Sequence, residues 1–192
     1  MAIYTATPSI ASSRPPAQND VGTIPSATAA LGVSKKEYGN GVLRQTVFTL
    51  SGTVVTWVDN GASGGYGSLQ LLDFPEGHIA VLGAVSDFTA LTAGAGIGAT
   101  GAVLHSLGTA AEATGATLDS TQADILPSTS LTLVGSTGAV GGVNTALLLS
   151  DGTATAKDLF LNLAANATDS TANSTVTITG TITVTWALLG NN

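Results

Sequence analysis

The chain has no cysteine, which excludes disulfides and thiolate metal sites from whatever holds it together. It is also short of charge. Asp, Glu, Lys and Arg make up 9% of the 192 residues, about a third of the usual share. A surface so poor in charge suits a protein pressed against neighbours better than one that must stay dispersed. Basic residues are the scarcest: Arg14, Lys35, Lys36 and Arg44 lie in the first 44 positions, and beyond them Lys157 stands alone against ten acids. Within a net charge of −7, a weakly basic beginning thus precedes a strongly acidic body, which argues against nucleic acid as a partner. No apolar run reaches the roughly 18 residues of a membrane-spanning helix. The start, "MAIYTATPSIASSRPP", has neither the basic region nor the continuous apolar core of a signal peptide, so neither a standard export signal nor a membrane partner is expected.

Small uncharged residues fill the space left by charge, with 29 threonines and 24 glycines. Residues 1–41 read as an extended arm, because Pro8, Pro15, Pro16 and Pro25 interrupt any regular element. Residues 42–192 read as one β-sandwich domain. "VLRQTVFTLSGTVVTWV" changes its inward phase across Ser51–Gly52, the mark of a bulge or bend. The closing ribbon "STVTITGTITVTWALLG" alternates threonines with Val176, Ile178, Ile182, Val184 and Trp186, so its even-numbered residues should face the core. A kink is expected at Gly180. "SGTVVTW" echoes "TGTITVTW", which predicts two long, bent strands of similar build, neighbours in one sheet. Short strand candidates between them, separated by Gly-rich turns, give about eight strands in all and indicate an antiparallel sandwich of jelly-roll type. Helix is scarce; the best candidate for a turn or two is Thr109 to Ile125, and Gly115 weakens even that.

No constellation of residues identifies a reaction. "GIGATG" fits a dinucleotide-binding glycine pattern, but strand rather than helix follows it, so it reads as a flexible loop. Asp73, Glu76 and His78 gather in "DFPEGH", where a turn on Pro75 and Gly77 is the better account than a cation site. His105 and Ser106 are adjacent on a strand and point to opposite faces, which rules out a catalytic pair. Asn166 and Asn173 meet the glycosylation consensus but read as polar linker residues. Trp57 and Trp186 read as core anchors rather than sugar-stacking platforms. No catalytic residue, metal ligand or cofactor is expected.

Two segments carry a likeness. "VLHSLGTAAEATGATLDSTQADILPSTSLTL" together with "DLFLNLAANATD" and the ribbon ending in Trp186 resembles small structural proteins that tailed bacteriophages encode near the major capsid protein. The resemblance implies a non-enzymatic virion component, foremost a head decoration (cement) protein. Its expected partner is the major capsid protein, its location the capsid surface, and its state a homo-oligomer, with a trimer expected. Tail or neck proteins are the nearest alternatives, and a secreted carbohydrate-binding or adhesin β-sandwich is the more distant one. Arg14, Lys35, Lys36, Tyr38 and Arg44 are the candidate contacts with an acidic shell, since a basic arm would bridge two negative surfaces.

Overall fold

The computed structural model describes residues 23–40, 42–75, 77–98, 102–115, 117–132, 138–142, 147–149 and 157–190. Among these the chain forms one short helix, α1 (Ser26–Ala30), and ten strands: β1 (Val33–Asn40), β2 (Leu43–Asp59), β3 (Gly65–Asp73), β4 (His78–Ala93), β5 (Ala102–Gly108), β6 (Leu126–Thr132), β7 (Gly138–Gly142), β8 (Leu147–Leu149), β9 (Asp158–Ala165) and β10 (Ser174–Gly190). The fold is all-β. Every pairing is antiparallel and follows the order β6-β5-β9-β3-β2-β10-β4-β7, with β1 beside β2 and β8 beside β4. Because β6 comes round to lie against β4 and β7, the sheet nearly closes into a barrel.

Alternation along the long strands builds this shape. On β10 the even-numbered Val176, Ile178, Ile182, Val184 and Trp186 are fully buried, while the odd threonines are exposed or half-buried. Against them β2 buries Arg44, Thr46, Phe48 and Leu50, then Thr53, Val55 and Trp57. Its phase changes across Ser51–Gly52, where two residues oppose the single Thr179 of β10. Gly52 takes a left-handed φ of +63° there, and its N–H donates to Thr179 Oγ1 at 3.1 Å. Gly180, at φ +153°, lies so close to Asp87 O and Phe88 Cα that a Cβ would collide with both. The expected kink therefore exists, and the register of β10 slips at Gly180 against both neighbours.

One interior is filled from both halves of the sheet, with Trp57, Trp186, Phe48, Phe74, Phe88 and Leu71 among its largest members. Each such side chain contributes roughly 1.5–3 kcal/mol by leaving water. The region between residues 109 and 125 wraps over β5 and β9 and is held by polar contacts. Asn162, fully buried on β9, donates to Ala110 O and Gln122 O and accepts from Ser68 Oγ and the Glu112 N–H. Glu112 Oε1 accepts from the N–H groups of Ala113, Thr114 and Gly115. These bonds make a firm irregular loop in which, among the described residues, the only helical turn is a 3-10 turn at Ser120–Gln122.

Two expectations change. The boundary placed at residues 41 and 42 falls inside the β1–β2 hairpin: residues 33–40 are a strand of the sheet, registered from Val33 opposite Leu50 to Asn40 opposite Leu43. Preceding them, α1 is tied to β3 by Thr28 Oγ1 donating to Gln70 O at 2.6 Å, and Thr23 bridges Asp73. The "arm" is thus body from Thr23 onward, and residues 1–22, Arg14 included, lie outside the described residues. The second concerns the Gly-rich turns expected between the short strands: of "GSTGAVGG", one of them, the Gly138–Gly142 part pairs with β4 as β7, because the Ala84–Phe88 stretch leaves a sheet edge to be filled.

Candidate functional site

Three places invite a functional reading. The first is a serine–histidine pair that sequence spacing did not reveal. His105 on β5 reaches across the interior to Ser86 on β4, with Nε2 and Oγ 2.7 Å apart. Its Nδ1 lies 3.2 Å from Thr129 O on β6. A carbonyl only accepts, so Nδ1 carries the proton and Nε2 accepts from the serine hydroxyl. That is the polarity of an activated nucleophile. Both residues are sealed, however, at 0% and 1% exposure, with Phe88 edge-on to the imidazole at 5.3 Å. Burial lowers the pKa of His105 to about 4, outweighing the upward effect of the Thr129 bond. The pair serves as a neutral bolt between the two halves of the barrel. The expected separation of His105 from Ser106 holds, since Ser106 Oγ turns away to donate to Gln122 O.

The second place is a groove of about 470 Å³ between the end of β2, the start of β10 and Gly94–Ala95, lined by Thr56, Val58, Asn173, Ser174 and Thr175 with Trp57 at its base. Its lining holds no charged group. Asn173, one of the two glycosylation-consensus residues, accepts the Asp59 N–H at 2.8 Å; the other, Asn166, accepts from Thr168 and Asp169 in a turn. Trp57 and Trp186 are both fully buried, so neither offers a stacking platform, and Tyr66 is half-buried.

The third place is the outer face of the four strands β1-β2-β10-β4. Register sets its side chains in rows: Ser34, Thr49, Thr181 and Asp87; then Lys36, Val47, Thr183 and Val85; then Tyr38, Gln45, Thr185 and Gly83. Around the last rows Tyr38, Leu43, Leu82, Val85 and Leu189 are each 42% exposed or more. Lys36 and Asp87 are the only charged residues in these three rows, one at each side. Lone apolar residues on a surface are ordinary; here several fall on one face that is poor in charge, the composition that protein contacts favour.

The proposed contact residues separate accordingly. Lys36 is exposed and lies 5.2 Å from the Tyr38 ring, which is itself exposed. Lys35 points to the other side of β1, partly buried and paired with Glu37 at 3.2 Å. Arg44 needs correction as a contact residue: at 6% exposure, it sits inside with its guanidinium 5.6 Å from the Trp186 ring, because its even position in β2 faces the core. Leu82, Val85 and Asp87 were missed, although the exposed alternation of "VSDFTAL" in β4 could have shown the outward phase from Val85 to Thr89. His78 is half-buried at the start of β4, and Glu76 lies outside the described residues. Among the described residues no three His, Cys, Asp or Glu side chains converge as a metal site. No helix there is long and apolar enough to cross a membrane. Compared with protein-family models, curated proteins and solved structures, the chain matches none.

Proposed function

We propose that this chain is a non-enzymatic structural protein of a tailed-phage virion, which binds the outer surface of the capsid and stabilises or decorates it. The observation that carries the proposal is the outer face of β1-β2-β10-β4, where hydroxyls and exposed apolar side chains replace charge on a molecule of net charge −7. Such a face favours contact with protein surface over dispersal. The likeness of the Val103–Leu133 and Asp158–Trp186 segments to capsid-associated phage proteins gives the surface its proposed setting. A sealed Ser86–His105 pair, unreachable by substrate, is consistent with a structural role. The jelly-roll description belongs to the same proposal; the near-closed antiparallel barrel is its coarser form.

The beginning of the chain retains a part. Residues 1–22 carry Arg14 and Asp20, which cancel in side-chain charge, together with Ile3, Tyr4, Ile10 and Val21; they precede Thr23, which bridges Asp73 at the end of β3. Such a segment can fasten the body to a shell chiefly by burying its apolar residues, with Arg14 adding at most one weak ion pair. The test is co-sedimentation with capsids assembled without this chain. The full chain should saturate them at a fixed number of copies. A chain lacking residues 2–22 should keep its β-rich circular dichroism and lose most of that binding. Binding to isolated tails but not to heads would move the protein to the tail or neck, and binding to neither would end the proposal.

A further inference from the structure

We propose that the outer face of β1-β2-β10-β4 packs against the same face of a second copy about a two-fold axis, with Lys36 of each copy meeting Asp87 of the other. The inference rests on the assembly reading above and assigns that face to a second copy, so that contact with the capsid falls to residues 1–22 and to surface outside these four strands. Its ground is the placement of the only two charges. Lys36 stands on β1, the outer strand on one side, and Asp87 on β4, the last of the four on the other, one row apart in the shared register. Stacked sheets align within about 30° and lie about 10 Å apart. A two-fold axis running along the strands midway between β2 and β10 sets β1 of one copy over β4 of the other. Lys36 then lies over Val85, one row from Asp87, a step of about 7 Å that a lysine side chain can span.

Symmetry makes this contact twice, so both charges of the face find opposite partners and no like pair is brought together. Tyr38 and Val85, exposed at 47% and 43%, fall in the overlap, and the threonines of β10 lie near the axis beside those of the partner. Four strands over seven or so residues give a face of roughly 20 Å by 25 Å. On two copies that reaches about 1,000 Å², where specific interfaces begin. The remaining surface of an acidic chain repels its copies, so the charge-poor face is where two can approach.

Sedimentation velocity on the full chain without capsids tests this directly. The expected result is a concentration-dependent dimer. Lys36→Asp and Asp87→Lys, both at exposed positions, should each weaken dimerisation by about tenfold or more, because each variant sets like charges against each other. The double variant Lys36→Asp/Asp87→Lys should return to within about threefold of the original, since the swap restores both pairs. Val85→Asp should leave only monomer, with circular dichroism unchanged in all variants. A monomer at every concentration would overturn the proposal. So would a trimer, the order expected from sequence, or a double variant no better than the singles. A dimer that fails to bind capsids would leave this interface standing and remove the capsid role.

Discussion

The two tryptophans end the same strand phrase, yet they close opposite ends of the barrel differently. At one end Trp57 Nε1 donates to Ser170 Oγ at 3.0 Å, and that hydroxyl donates to Asp59 Oδ1 at 2.8 Å. At the other, Trp186 Nε1 donates to Thr46 Oγ1 at 2.9 Å, which donates to Glu37 Oε1 at 2.9 Å. Both are chains of indole, hydroxyl and carboxylate, each satisfying a buried N–H that would otherwise cost stability. The Trp186 end carries more. Phe74 packs edge-on at 5.5 Å and the Arg44 guanidinium lies over the ring, while Arg44 Nε and Glu37 Oε2 are buried without a hydrogen-bond partner. One phrase thus sets the anchor, and its neighbours decide whether the polar shell around it is complete.

Truncation removes the anchors outright and should have the largest effect. Trp57→Ala and Trp186→Ala each leave a large cavity at a position with no exposure, and each should cost about 3–5 kcal/mol in urea unfolding. Near-equal losses would show that the two ends share their anchoring in spite of different shells. A loss below about 2 kcal/mol at either end would show that the barrel closes without that tryptophan.

Next in size is an acid effect from the bolt midway between the ends. His105 has its pKa lowered by burial from 6.5 to about 4, so between those values the unfolded chain binds a proton that the folded chain refuses. Stability from this group is complete above pH 6.5 and is lost as pH falls towards 4. At about 1.4 kcal/mol per pH unit the loss is about 3 kcal/mol. Burial raises the pKa of Asp124, and burial followed by the nearby Asp73 raises that of Asp158, so both act in the opposite sense at the acid end. The measurement is therefore a difference: unfolding free energy at pH 7 minus that at pH 4, for the original chain and for His105→Leu. The original should show the larger acid loss by about 3 kcal/mol, and equal losses would remove His105 as the cause.

Strand periodicity made much of this legible before any coordinates. The alternation of β10, the phase change at Gly52, the kink at Gly180 and both buried tryptophans follow from local pattern, because a period of two with large apolar residues leaves few alternatives. What pattern could not carry was pairing across distance. Ser86 and His105 meet through the curvature of the barrel, and nothing in their separation along the chain announces it. β1 was hidden because Lys35 and Glu37 follow Val33 on its inward phase, and their charges imitate a solvated arm. They are accommodated there, half-buried, by pairing with each other and by Glu37 accepting from Thr46. Arg44 misled in the same way: a cation in a basic stretch looks like a contact, and only the phase of β2 shows that it points inward.

Cutting the middle link of each chain should have a smaller effect and separates the two ends. Ser170→Ala leaves the Trp57 N–H unpaired in the interior and takes a donor from Asp59, which should cost about 2 kcal/mol. Thr46→Val keeps the volume, and Lys35 still holds Glu37 at 3.2 Å, so its cost should be nearer 1 kcal/mol. The reverse order in thermal or urea unfolding would mean that the Trp186 end depends more on its hydroxyl than its extra partners suggest.

The smallest effect belongs to Arg44, where the surplus polarity of the Trp186 end can be removed. Arg44 is buried with its guanidinium over the Trp186 ring, and the aliphatic stem of a buried arginine stabilises through burial. Its guanidinium contributes a cation–π contact, but it also holds Nε inside with no partner, and an incompletely paired buried charge recovers little of the cost of leaving water. These terms nearly cancel. Arg44→Met, which retains the apolar stem and discards the charge, should therefore change unfolding free energy by less than about 1 kcal/mol, whereas Arg44→Ala, which uncovers the indole, should cost about 1–2 kcal/mol. If methionine costs as much as alanine, the charge itself is what the Trp186 end requires.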